Sequence, residues 1–128
     1  MKQMLFAAML VLLAGCATIA QTPPRQDGIA RLGESTYVDG PLVSPMRVIE
    51  DSRCPINARC VWAGRVILRV QVSGGSWLRT MDLTLGEPQQ VADGALTLVS
   101  VTPDQVAGAD QETKPEEYRF SFAFDGGL

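Results

Sequence analysis

Two closely spaced cysteines constrain the fold of this chain more than any other feature. Cys54 and Cys60 enclose five residues, and the segment around them, residues 50–64, joins two runs with the alternating pattern of β-strands. In an oxidising compartment, cysteines this close together are expected to pair. A disulfide across so short a loop stabilises a fold by about 2 to 2.5 kcal/mol in the chain-entropy model. The segment therefore predicts a small closed loop that leads into a central strand.

The same cysteines allow other interpretations. Their spacing is not Cys-x-x-Cys, which argues against a thioredoxin-like redox pair. A zinc site needs four ligands, whereas the chain offers two thiols here and no histidine, so we expect no metal and no cofactor. A third interpretation is a recognition or inhibitory loop with Arg59 near its tip, because a preorganised loop binds with a smaller entropy loss.

The first residues have the architecture of a secretory signal. An uninterrupted apolar run of ten residues extends from Met4 to Leu13 and ends in small residues, which is too short for a mature membrane-spanning helix. Leu13-Ala-Gly-Cys16 resembles the lipobox of bacterial lipoproteins. The resemblance implies cleavage after residue 15 and acylation of Cys16. The alternative is a plain secretory signal that contains an incidental cysteine.

Acylation of Cys16 would make the membrane a partner of this protein, because several acyl chains anchor a protein firmly. Ala17, rather than aspartate, follows the cysteine and resembles the pattern that enteric bacteria send to the outer membrane. We therefore favour the periplasmic side of the outer membrane over the inner membrane. Residues 16–28 contain two prolines and no periodicity, which predicts a flexible tether with a reach of roughly 40 Å.

Residues 29–128 are predicted to form one β domain. About seven short alternating runs, separated by turn signals, favour an antiparallel β-sandwich or a barrel-like fold. Gly74-Gly75 predicts a two-residue hairpin turn that places Val72 opposite Trp77. Pro45 cannot donate to a ladder, so its strand should lie at an edge or bulge there. The core faces are expected to comprise Val66, Leu68, Val70 and Val72 in one strand and Tyr118, Phe120, Phe122 and Phe124 in another.

The sequence predicts a candidate binding surface that has two parts. Arg65 and Arg69 share one face of a predicted strand, with Asp82 placed diagonally on the next strand; this group is either a weak surface ion pair or a site. Trp62 is expected to pack over the disulfide as a lid on the core, with an exposed binding role as the alternative. Together with Arg59, these residues form the candidate surface.

The cysteine segment also carries a resemblance. Asp51-Ser-Arg-Cys-Pro, followed by Cys60-Val-Trp-Ala-Gly64, resembles a group of small bacterial lipoproteins and secreted proteins with a D-S-R-C-P and C-x-W-A-G pattern. Residues 94–103 are also similar to that group. The resemblance implies a β fold and a disulfide, and it implies no activity.

Composition argues against several functions. The absence of histidine excludes Ser-His-Asp and Cys-His nucleophile arrangements, and Lys114 is the only lysine after residue 15. The net charge of −3 argues against nucleic acid as a partner. A long polar stretch, residues 103–117, is rich in carboxylates but lacks the regular spacing of a calcium loop, so we predict a solvated loop.

Three functional hypotheses follow. We favour a lipid-anchored envelope protein that is structural or binds another protein, without catalytic residues. The alternative is an inhibitor of an envelope or external protease that acts through the cysteine loop. The third is a hydrolase that uses a carboxylate pair, Asp51 with Glu50 or with Asp82.

Overall fold

The computed structural model describes residues 23–126 together with Gly15. Apart from Gly15, the predicted signal peptide, the predicted acylation site Cys16 and most of the predicted tether lie outside the described residues. Among the residues that are described, no helix has the length and apolar character needed to cross a membrane.

Two antiparallel four-stranded sheets pack face to face, which confirms the predicted all-β fold as a sandwich. One sheet has the strand order β2-β3-β4-β5, and the other has the order β1-β8-β7-β6. A single 3₁₀ turn, Pro115–Glu117, is the only helical element between residues 23 and 126. The strands are β1 (Ile29–Ala30), β2 (Thr36–Tyr37), β3 (Leu42–Asp51), β4 (Val66–Ser73), β5 (Leu78–Thr84), β6 (Gln89–Val91), β7 (Gly94–Thr102) and β8 (Arg119–Gly126).

The core lies between the inner faces of β4 and the β7–β8 pair. Strict alternation places every second side chain of β4 on the inner face, where Val66, Leu68, Val70 and Val72 are all fully buried. The aromatic residues before and within β8 meet them from the other sheet. Tyr118, Phe120 and Phe122 are buried and Phe124 is partly buried, so both predicted core faces are confirmed.

The predicted register of the β4–β5 hairpin is wrong by two residues. The connection is a four-residue loop, residues 74–77, in which the Gly74 amide donates to the Trp77 carbonyl at 3.0 Å. Val72 therefore lies opposite Arg79 instead of Trp77. Within this loop the Trp77 indole packs directly over Gly74, where a Cβ would lie 2.3 Å from Nε1. Because a shift of two preserves side-chain direction, the core faces are unaffected.

Bulges interrupt the regular pairing of two other strands, β3 and β7. β3 has a bulge between Pro45 and Arg47, as the proline predicted, and β7 has one between Leu98 and Ser100. At the second bulge Val99 is 53% exposed.

The chain before β1 also contacts the domain. The Arg25 amide donates to the Ser35 carbonyl at 2.8 Å, and the Tyr37 amide donates to the Arg25 carbonyl at 2.9 Å. These bonds add Arg25 to the edge of the sheet beside β2. Among the described residues, contacts with the domain are therefore present before Ile29, in part of the predicted tether.

Candidate functional site

The cysteine segment connects β3 to β4 at one end of the sandwich. Cys54 and Cys60 form the predicted disulfide, with Cα atoms 5.8 Å apart. The Cys54 amide donates to the Ala63 carbonyl at 3.0 Å, so the two arms of the segment stay paired beyond the sheet. Gly64 makes this close approach feasible: its φ is +71°, and a Cβ there would lie 1.8 Å from the Ser52 carbonyl oxygen. We call residues 54–62 the cysteine tip.

An ion pair braces the base of the cysteine tip. Arg53 donates two hydrogen bonds of 2.8 Å to the two carboxylate oxygens of Asp51. The Tyr118 hydroxyl donates a third bond of 2.8 Å to the same carboxylate. The Asp51 and Arg53 side chains are only 6% and 14% exposed. This geometry is bidentate and largely desolvated, which is the arrangement that gives an ion pair directional rigidity.

Arg53 also joins the cysteine segment to the second sheet. Its guanidinium donates to the Val101 carbonyl at 2.8 Å and to the Pro103 carbonyl at 3.0 Å, at the end of β7. Asp51 and Tyr118 also join the two sheets, because Asp51 ends β3 in one sheet and Tyr118 immediately precedes β8 in the other. The network therefore fixes the tip relative to both layers of the sandwich.

The ionisation of this network follows from its contacts. Burial opposes charge on Asp51, but the hydrogen bonds from Arg53 and Tyr118 outweigh it and hold the pKa of Asp51 below its usual range. Burial, together with the hydrogen bond to Asp51, raises the pKa of Tyr118 to about 12. At neutral pH the carboxylate is therefore ionised and the phenol is protonated, as their mutual hydrogen bond requires.

The carboxylate-rich loop predicted from the sequence lies directly against the cysteine tip. We call residues 103–117 the acidic loop. The Ile56 amide donates to the Gln105 carbonyl at 2.9 Å. The Asn57 side chain makes a two-way contact with the Ala107 backbone: Nδ2 donates to its carbonyl at 3.0 Å, and Oδ1 accepts from its amide at 2.8 Å. The predicted solvated loop is exposed along most of its length, and these bonds tie its first part to the tip.

The tip presents large apolar side chains to solvent. Val61 is fully exposed, Trp62 is 74% exposed and Ile56 is 70% exposed. The prediction that Trp62 packs over the disulfide as a lid is therefore wrong. At this end of the sandwich the buried positions are taken by Tyr118 and by the largely buried Arg53 side chain, and the indole stays in solvent.

The other candidate residues divide between the tip and the neighbouring strands. Arg59 is exposed on the tip itself and forms no salt bridge with another described residue. Arg69 lies directly opposite Asp82 on the outer face of β4 and β5, with hydrogen bonds of 2.9 and 3.3 Å, instead of diagonally as predicted. Arg65 bonds Glu50 and leaves Asp82 to Arg69. The predicted surface therefore separates into a tip and a strand-face ion pair.

The geometry offers no support for a catalytic carboxylate pair. Glu50, Asp51 and Asp82 each bond a different arginine, so no two of them face one another across a reacting position. A shallow cleft of about 380 Å³ lies beside Asp51 and Arg53, and both side chains are already bonded to protein partners, Arg53 through four hydrogen bonds. Within residues 23–126, no group of three acidic or cysteine side chains is placed to hold a metal ion.

Comparisons with models of protein families, with curated proteins and with solved structures find no match for this chain. The candidate site is therefore defined by geometry alone: a disulfide-closed apolar tip, a buried ion-pair network beneath it and an acidic loop beside it.

Proposed function

We propose that this protein is a lipid-anchored module of the bacterial cell envelope that acts by binding another protein through the cysteine tip. The observation that carries the proposal is the exposure of Val61, Trp62 and Ile56 on a loop that is closed by a disulfide and braced from below. Exposed apolar side chains usually cost solubility, so a rigid cluster of them indicates an interaction surface. Tryptophan is also among the residues that contribute most to binding at protein interfaces.

Preorganisation supports the proposal further. Immobilising a flexible side chain at an interface costs roughly 0.5 to 1.5 kcal/mol, and ordering a loop costs more. The disulfide and the Asp51–Arg53–Tyr118 network already fix the backbone beneath Trp62. The tip can therefore bind a partner with little ordering cost. The lipobox-like Cys16 would hold such a module on the periplasmic side of the outer membrane.

Site-specific photocrosslinking in cells tests this proposal. A photoreactive phenylalanine analogue at position 62 should crosslink to one envelope protein. The matched control is the same analogue at position 78, because Leu78 is 62% exposed and lies in β5 at the opposite end of the sandwich. Equal crosslinking from both positions, or none from position 62, would contradict the proposal.

A second candidate function is protease inhibition by the same loop. It is favoured by Arg59, an exposed cationic side chain inside a disulfide-closed segment, because such a residue can enter the specificity pocket of a trypsin-like protease. This function predicts that the intact protein inhibits a protease of that class and that Arg59→Ala removes the inhibition. If the intact protein inhibits none of a panel of envelope and extracellular proteases, this function is excluded.

A further inference from the structure

The acidic loop carries the whole net charge of the chain after residue 15. It contains five carboxylates and one lysine, a net charge of −4 within 15 residues. The rest of that chain, from residue 16 to residue 128, contains nine arginines and nine carboxylates and is therefore neutral overall. A charge so concentrated creates a directional field, and such fields govern which partners approach and how quickly.

The loop carboxylates are available to a partner. All five are exposed, and none forms a salt bridge with another residue in the described part of the chain. Four arginines elsewhere in the domain, Arg25, Arg53, Arg65 and Arg69, are each paired with a carboxylate outside the loop. Arg119, next to the end of the loop, donates to the backbone carbonyls of Glu116 and Glu117 and forms no salt bridge with their carboxylates. The five are Asp104, Asp110, Glu112, Glu116 and Glu117.

The charge and the apolar tip form one surface. The Ile56–Gln105 bond and the Asn57–Ala107 pair hold the two segments side by side, and Arg53 bonds the backbone at Pro103 where the acidic loop begins. An apolar centre bordered by charged, solvated groups is the usual anatomy of a protein interface. Trp62 is the largest of the exposed apolar side chains on the tip.

We propose that the partner is a protein with an apolar cleft that accepts Trp62 and with lysine or arginine side chains beside that cleft, facing the acidic loop. This inference rests on the proposed function and specifies the chemistry of its partner. Charge complementarity selects this occupant over a lipid surface, because the envelope membranes carry anionic lipids that would repel a net charge of −4. Opposite charge on a protein partner would instead speed association and disfavour incorrect partners.

The test uses the full-length protein in cells, with the photoreactive analogue at position 62. The crosslinked polypeptide and its contact peptides are identified by mass spectrometry. A second measurement follows the rate of crosslinking in washed envelopes for a loop variant, Asp104→Asn/Asp110→Asn/Glu112→Gln. The matched control, Asp39→Asn/Asp93→Asn/Asp125→Asn, makes the same change in net charge at the opposite end of the sandwich, where Asp39 and Asp93 line one shallow cleft.

We expect contact peptides rich in lysine or arginine. At low ionic strength the loop variant should crosslink roughly tenfold more slowly than the wild type, with the difference shrinking as salt is added, and the control should match the wild type. Equal effects of the two variants, no effect of the loop variant, or crosslinking of position 62 to phospholipid would overturn the inference. If position 62 crosslinks to a protein at the same rate in the loop variant and in the wild type, the partner does not have the proposed basic side chains, but the proposed function still holds. The absence of any protein crosslink from position 62 would refute both.

Discussion

The buried ion pair beneath the cysteine tip gives the sharpest prediction about stability. Asp51→Asn keeps the size of the side chain but removes its charge and one acceptor, so Arg53 loses its counterion and the Tyr118 hydroxyl loses a charged acceptor. Breaking a well-buried pair costs about 3 to 5 kcal/mol when one partner is deleted. The remaining amide oxygen recovers one neutral hydrogen bond, about 1 kcal/mol. We therefore expect a loss of about 2 to 4 kcal/mol.

The neighbouring residue provides the control. Glu50→Gln makes the same chemical change in an adjacent carboxylate whose arginine partner lies on the surface, with the two side chains 37% and 57% exposed. Exposed pairs contribute about 0 to 1 kcal/mol, so this variant should remain close to the wild type.

Equilibrium urea unfolding of the soluble chain from Ala17 onward, monitored by far-UV circular dichroism, measures both variants. For a denaturant slope of about 1.5 kcal/mol per molar, Asp51→Asn should lower the midpoint by roughly 1.5 to 2.5 M, and Glu50→Gln by well under 1 M. If the two variants lose the same stability, the claim that burial makes the Asp51 network structural is wrong.

Four further outcomes follow. The pKa of Asp51 is lower in the folded chain than in the unfolded chain, so its contribution to the free energy of unfolding should be lost as pH falls below about 4. When the free energy of unfolding is measured against pH in this range, Asp51→Asn should therefore show a smaller change than the wild type. Because the pKa of Tyr118 rises from 10.0 to about 12 on folding, stability should fall as pH increases through that interval, a loss that Tyr118→Phe should lack when unfolding is measured from pH 9 to 12. Gly64→Ala should cost more than 3 kcal/mol in urea unfolding or prevent folding, because its Cβ would collide with backbone, whereas Gly86→Ala, also at positive φ but with open space around it, should cost only about 1 to 2 kcal/mol. Reducing the disulfide should lower the unfolding free energy by about 2 kcal/mol without altering the far-UV spectrum; a lost β spectrum would show that the disulfide determines the fold.

Local patterns in the sequence predicted an antiparallel β-sandwich or barrel-like fold and its core faces, and the fold is a sandwich. The alternation from Val66 to Val72 is sufficient because strand periodicity depends only on neighbouring residues, and it survives the error of two residues in hairpin register. The disulfide is equally local, since Cys54 and Cys60 are six positions apart. The hairpin register was not predictable in the same way, because the Gly-Gly pair does not show that the connection extends over four residues, with the Trp77 indole packed over Gly74.

The candidate site depended on contacts that no local pattern contains. Tyr118 and Asp51 are 67 positions apart, and Asn57 and Ala107 are 50 positions apart, so the brace and the docked acidic loop required the fold. The exposure of Trp62 is also a property of the fold, because the sequence around a tryptophan does not show which side chains occupy the end of the core. The Asp51-Ser-Arg53 spacing was the one available signal, because residues two apart in an extended chain point the same way.

The central claim is that Trp62 is exposed in the isolated protein and covered by a partner in the envelope. Hydroxyl-radical footprinting with mass spectrometry measures this directly, on the purified soluble chain and on native envelopes. Met46, 50% exposed on β3, serves as an internal reference. We predict that Trp62 oxidises rapidly in the purified chain and is protected severalfold in envelopes, while Met46 reacts alike in both. Equal oxidation of Trp62 in the two preparations would contradict the claim that the cysteine tip is a binding surface.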